Sequence, residues 1–214
     1  VTKFRNNRIS RGVYELEDRI FASFKLEIQP INTLLKILVA LPDKFYHFDA
    51  GFLNQFTYAK ISHPLKTENF SLLKELLKKR DMYCFLKLFY DAGILHHLFT
   101  NFRKVLHLPQ FDGYHHYPVD IHSLKSVEAL ENIKEENIQN LFNELSADEK
   151  LILKIVVLFH DTGKGRKQDH SEVGAKLILP FLTKLELSNE LIESSVLLVK
   201  NHKSKDCKSH TYIK

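Results

Sequence analysis

The sequence predicts a mainly helical fold in two parts, and three observations carry that prediction. The chain has 214 residues with only seven Gly and six Pro, so long stretches are free of helix breakers. Apolar residues recur at helical spacing through much of it, as in the stripe Leu72, Leu73, Leu76 and Leu77. A hydrophobic fraction of 44% is enough to bury a core in one large or two small domains.

Taken in order, residues 1–30 carry Arg, Asn and Gly and then Val13, Leu16, Ile20 and Phe21, which reads as a connector with a short strand. Residues 31–108 read as helices: 33–41, ended by Pro42, then 70–80 and 82–90, with breaks at Pro64 and Gly93. The second part begins at Pro109, with helices near 120–133, 136–145, 147–161, 171–186 and 189–202. Ser188-Asn189-Glu190 marks the start of the last, a capping residue followed by acid in the first turn. Pro180 lies inside GAKLILPFLTKL and is expected to kink or split that helix.

Composition narrows the function classes. Two cysteines, Cys84 and Cys207, are too few for a disulfide framework and fit a reducing, cytoplasmic setting. No apolar run approaches the roughly 18 residues of a membrane span, and VTKFRNNRISRG lacks a signal-peptide core. A chain that starts with Val1 is expected to be a piece of something longer. The net charge of +5 gathers in clusters such as Lys78-Lys79-Arg80. Such clusters suit phosphate or an acidic partner, and more often are solvated helix faces. No aromatic residues interleave them, so nucleic-acid binding is not expected.

The strongest chemical signal is IVVLFHDTGKG, residues 155–165. An apolar run delivers the His160 imidazole and the Asp161 carboxylate side by side, and the chain then breaks at Gly163 and Gly165. Burying two such groups unpaired costs several kcal/mol. A divalent ion offsets that cost, because neutral imidazole and carboxylate are both first-row metal ligands. A lone His-Asp pair is usually a solvated surface dipeptide, so the weight rests on what joins it. His122 opens a segment with Ser126, Ala129 and Ile133 on its own helical stripe, small residues that let another helix come close. His202 follows Leu198 and Val199 and shares their face. His170 sits in Asp-His-Ser-Glu before a helix, where capping by Asp169 or Ser171 is the competing explanation. Of the other histidines, His96 and His97 follow an apolar face and cap or pack there, while His47, His63, His107 and His210 lack convergent partners.

The pattern H…HD…H…H resembles the HD superfamily of metal-dependent phosphohydrolases. LPQFDGYHHYPVDIHSL is similar to the entry of the HD domain in the bifunctional PII uridylyltransferase/uridylyl-removing enzymes of bacterial nitrogen control. There an aromatic-His pair and Tyr-Thr-Val-Asp precede the first ligand; here the positions are Tyr114-His115, Tyr117, Val119, Asp120 and His122, with Pro118 in place of the threonine. LFHDTGKGRKQDHSEVGA is similar to that family's second block, and LLKILVALPD and FRKVLHLPQFDGY resemble the helical region between its catalytic domains.

The resemblance implies a helical region over 1–108 and an HD-type helical bundle over 109–214. It implies one or two divalent ions, Mg or Mn first and Fe or Zn as alternatives, on His122, His160, Asp161, His170 and His202. It implies a catalytic role for Asp161 and an outer-shell or substrate contact for His115; position and chemistry add Lys164 as catalytic, Arg166 as a weaker substrate contact, and Asp206, one helical turn from His202, as a further candidate. A lysine on a flexible turn beside a metal suits a phosphate oxygen; a solvated loop lysine is the alternative. Two departures stand out. Asn201 replaces the first histidine of the family's usual His-His pair, and Asp206 is the only carboxylate left where a closing aspartate comes later in the family.

The implied reaction is hydrolysis of UMP from a tyrosine of PII signalling protein. No Gly-Ser block with paired aspartates is present, so the uridylyl-transferring half is not expected within these residues. Two other readings remain: a generic HD nucleotidase or phosphodiesterase acting on a small nucleotide, and a catalytically dead HD interaction module.

Overall fold

The computed structural model describes residues 7–23, 25–110 and 116–202. It divides the chain into two compact units, Val1–Leu98 and Phe99–Lys214. This division falls upstream of Pro109, and the reason lies in the side chains. Phe99 and Phe102 are fully buried, with ring centroids 5.9 and 5.8 Å from that of Phe159, so the 3₁₀ turn Thr100–Lys104 packs into the second core.

The first unit opens with a meander in place of a connector holding one short strand. β1 (Arg8–Ser10), β2 (Val13–Leu16) and β3 (Arg19–Ala22) pair antiparallel in chain order, and β4 (His47–Phe48) adds in parallel to β3. Strands this short carry too little alternation to announce themselves. The β2–β3 turn also lacks the usual Asn-Gly signal: Glu17 and Asp18 both take positive φ, 50° and 60°. Lys44 bridges this hairpin, pairing with Glu15 at 2.7 Å and with Asp18.

Five helices follow. In α1 (Ile31–Ala40) the buried residues Ile31, Leu34, Leu35 and Leu38 repeat at the spacing of one helix face. α2 (Ala50–Thr57) escapes a periodicity reading because it is short. Asp49 caps it by accepting from the Phe52 N–H at 2.7 Å. α3 (Thr67–Lys78) buries Phe70, Leu73, Leu76 and Leu77; α4 (Tyr83–Asp91) and α5 (Leu95–Leu98) complete the unit.

Tyr46 is 1% exposed, and its hydroxyl has no hydrogen-bond partner among the described residues. Burial, reinforced by the charge of Glu15, pushes its pKa up to about 12. A raised folded-state pKa gives stability that is complete below the unfolded value near 10 and lost as pH climbs toward 12. Tyr46→Phe is therefore expected to be neutral or stabilising by about 1 kcal/mol at pH 7. In denaturant titrations it should also remove part of the stability loss seen between pH 10 and 12.

The second unit contains α6 (Val119–Glu131), α7 (Glu136–Glu144), α8 (Ala147–Phe159), α9 (His170–Lys184) and α10 (Asn189–Asn201). α8 is central, packed by α6 and α10, and α10 also packs on α9. α8 starts on a reciprocal cap: Ser146 Oγ accepts from the Glu149 N–H at 3.2 Å, and Glu149 Oε2 accepts from the Ser146 N–H at 2.7 Å. Phe159 ends the helix inside a cluster with Phe99, Phe102 and Phe181, which fixes the residue just before His160.

α9 runs unbroken through Pro180, so the expected split does not occur. Pro180 lies on the exposed face, and so does Lys176, whose carbonyl loses its helical donor there. Water can satisfy that carbonyl, and the interruption is tolerated.

A candidate metal centre at the ends of four helices

Four helix ends meet at one point of the second unit. His122 lies in the first turn of α6, and His170 is the first residue of α9. His160 and His202 cap the C-terminal ends of α8 and α10. Asp161 stands between them, 3% exposed.

Its two oxygens divide the histidines. Oδ2 lies 3.3 Å from His160 Nε2 and 3.7 Å from His122 Nε2; Oδ1 lies 3.5 Å from His170 Nε2 and 3.6 Å from His202 Nε2. Two overlapping groups result, His122–His160–Asp161 and Asp161–His170–His202, each with donor atoms within 4.8 Å of one another. Donors around one ion at about 2.0–2.2 Å are separated by about 3.0–3.5 Å, so small adjustments suffice.

Local hydrogen bonds fix how the rings face. His160 Nδ1 lies 2.8 Å from the Val157 carbonyl and His202 Nδ1 2.7 Å from the Val199 carbonyl. A carbonyl only accepts, so each Nδ1 carries a proton and each Nε2 faces Asp161, donating to the carboxylate when the ring is protonated and free to offer its lone pair to an ion when the ring is neutral. At α6, Ser123 and Ser126 are buried, and Ser126 Oγ donates to the His122 carbonyl at 2.9 Å, which keeps that face narrow. The capping cluster around His170 is present, and it leaves the His170 ring facing Asp161. Asp169 does the capping, accepting from the Ser171 and Glu172 N–H groups at 2.9 and 3.3 Å.

Electrostatics follows from this packing. Burial by itself would raise the Asp161 pKa, but hydrogen bonds from His160 and His202 and the charge of Lys164 hold it well below the usual carboxylate range. For His160, burial opposes the charged form, and the Asp161 carboxylate outweighs it and raises the pKa. The centre is thus a buried, ionised carboxylate ringed by imidazole edges. That donor set fits a divalent ion.

The turn after Asp161 is built by contact. A Cβ on Gly163 would sit 1.9 Å from the His170 carbonyl oxygen and 2.7 Å from the Gly174 nitrogen, so only glycine allows the turn to lie against α9. Gly163→Ala should push α9 away and cost several kcal/mol of stability in the second unit. A thermal transition within 1 °C of the unsubstituted chain would contradict this.

Lys164 Nζ lies 2.7 Å from Asp161 Oδ2 and donates to Gln110 Oε1 at 2.5 Å. Gln110 in turn donates to the Tyr117 carbonyl at 3.0 Å. An amide far along the chain gives no sequence signal for this brace. Arg166 Nη1 donates to the carbonyls of Thr162 and Lys164 at 2.7 and 3.2 Å, stapling the turn. Asp120, fully buried, anchors the entry to α6 by accepting from the His107 and Ile121 N–H groups at 2.7 and 2.9 Å. His115 and Asp206 lie outside the described residues.

Comparison with known proteins agrees with this geometry, since the model of the HD domain matches residues 119–209. The match covers less than half of the 214 residues. Bifunctional uridylyltransferase/uridylyl-removing enzymes are similar to part of this chain. The enzyme of Bradyrhizobium sp. (strain ORS 278) is 29% identical over 137 residues, covering 61% of this chain and 15% of the relative. That of Zymomonas mobilis is 32% identical over 124 residues, covering 55% and 13%. The chain thus matches less than a sixth of the length of these relatives. No described helix is long and apolar enough to cross a membrane.

Proposed function

We propose that this HD domain is a divalent-metal phosphodiesterase that removes UMP from a tyrosine of a PII signalling protein in the bacterial cytoplasm. The observation that carries the hydrolase reading is Asp161, one buried carboxylate flanked by four imidazoles. His122, His160 and Asp161 would hold one ion, and Asp161, His170 and His202 a second. A set this rich in imidazole suits Mn, Fe or Zn better than Mg, which prefers an all-oxygen shell. Such an ion supplies Lewis acidity at the phosphoryl group and lets water ionise near neutrality.

The protein's own groups do the rest. Asp161 keeps its negative charge and orients the ligand cage. Lys164, braced by Gln110, offers an ammonium for charge developing on the phosphoryl oxygens. His115 and Asp206 are retained as candidates for substrate contact or closure of the site. In the reaction, water adds to phosphorus and the P–O bond to tyrosine breaks. The phenolate, with a parent pKa of about 10, leaves far more readily than an alkoxide would. PII as substrate rests on the relatives' removing activity and their similarity to this chain, and uridylyl transfer by a longer protein rests on the same ground.

The test is direct. The chain incubated with uridylylated PII and Mn²⁺ should release UMP, and chelation should stop it. Hydrolysis of small nucleotides but not modified PII would favour the nucleotidase reading; no hydrolysis of either with metal bound would favour the interaction module. Lys164→Ala should leave ion affinity intact and slow hydrolysis by about 10- to 1000-fold, the range for loss of one stabiliser of transition-state charge. An unchanged rate would remove Lys164 from the mechanism.

A further inference from the structure

We infer that the first unit carries a second metal site, made by His63 and His97, that takes a borderline transition ion such as Zn²⁺ or Ni²⁺. His63 Nε2 and His97 Nδ1 are 3.1 Å apart, with ring centroids 5.1 Å apart. Two nitrogens each about 2.0–2.1 Å from one ion lie about 2.9–3.4 Å apart, for angles between a right angle and tetrahedral. The observed separation falls inside that window without movement of either ring. A hydrogen bond between neutral imidazoles has the same spacing. An ion replaces its shared proton, which moves to the other nitrogen of the donor ring, so no net charge is lost from the pair.

The pair is also held and reachable. Leu95 and Leu98, each 1% exposed, fasten α5 by its apolar side. The His97 N–H donates to the Ile94 carbonyl at 2.9 Å, and the His96 ring lies against that of His97, tilted by 38° with centroids 4.1 Å apart. His97 is half-buried and His63 exposed, so one ring is positioned by packing and the other opens to solvent. Water would fill the remaining positions around the ion. All-imidazole donors select Zn, Cu and Ni over Mg and Ca. The site shares no ligand with the HD centre.

Zn²⁺ binding to the full 214-residue chain by equilibrium dialysis provides the count. His63→Ala, an exposed position whose folding is checked by circular dichroism, should bind one ion fewer per chain. Independently, Ni²⁺ in molar excess should broaden the His63 and His97 imidazole resonances, including in an Asp161→Asn background where the HD centre is disabled. Equal Zn²⁺ counts in the two chains, or imidazole resonances untouched by Ni²⁺, would leave an ordinary hydrogen bond and overturn the inference.

Discussion

Asp161→Asn is expected to abolish ion binding at the HD centre and phosphodiester hydrolysis together. The substitution keeps the side-chain shape and one oxygen but removes the charge toward which four Nε2 atoms converge at 3.3–3.7 Å. Loss of an outer-shell partner already costs about 10- to 100-fold in metal affinity. A shared ligand should cost more, and excess metal should restore activity only in part. Calorimetric titration with Mn²⁺ beside a rate assay reads both effects. Intact hydrolysis in the variant would mean that His160 and Asp161 are structural, and the interaction-module reading would gain.

The largest stability effect is expected from a pair the mechanism does not use. Lys154 Nζ on α8 meets Glu131 Oε1 at the end of α6 at 2.9 Å, with side chains only 5% and 3% exposed. Lys154→Met removes the ammonium from beside a carboxylate that has no ready access to water. Breaking a buried pair from one side costs about 3–5 kcal/mol, whereas replacing both partners by apolar groups is often neutral. Lys154→Met/Glu131→Leu should therefore recover most of what Lys154→Met loses in urea denaturation. Since α6 and α8 carry His122 and His160, the single variant should also weaken ion binding without touching a ligand. A loss below about 0.5 kcal/mol in the single variant would show that the pair is solvated in practice.

Much of the HD centre was legible in the sequence, for a physical reason. An apolar run that ends in His160-Asp161 must satisfy two buried polar groups, and that demand is visible in one dimension. For His122 and His202 the stripes were a partial guide: Ser126 and Val199 are buried, while Ala129 and Leu198 are exposed. His170 did not separate from a capping cluster until Asp169 was seen to accept both N–H groups. Gln110 was silent, because a glutamine bracing a lysine in another segment leaves no periodic trace. Arg166 Nη1 bonds the carbonyls of the turn after Asp161, a supporting contact that the sequence pattern alone could not separate from a substrate contact.

The fold divides similarly. Long helices with repeating apolar faces, such as α1, α3 and α8, were readable, and their ends fell within a few residues of the expected positions. The β1–β3 meander was not, since strands of three or four residues joined through Glu17-Asp18 lack both alternation and turn signal. Pro180 looked like a break, but Pro180 and Lys176 are both exposed residues and the helix continues through them. The unit boundary moved to Leu98 because Phe99 and Phe102 belong to the Phe159 cluster, a tertiary fact with no local marker.

Diffraction from crystals grown with Mn²⁺, recorded at a wavelength where manganese scatters anomalously, tests the central claim most directly. An anomalous peak should appear at Asp161, with Nε2 of His122 and His160 and a carboxylate oxygen within about 2.0–2.6 Å of it. A second ion, if bound, should lie on the His170 and His202 side. Well-ordered density for Asp161 and the four imidazoles with no anomalous peak among them, at saturating Mn²⁺, would contradict the assignment of this HD domain as a metal-dependent hydrolase.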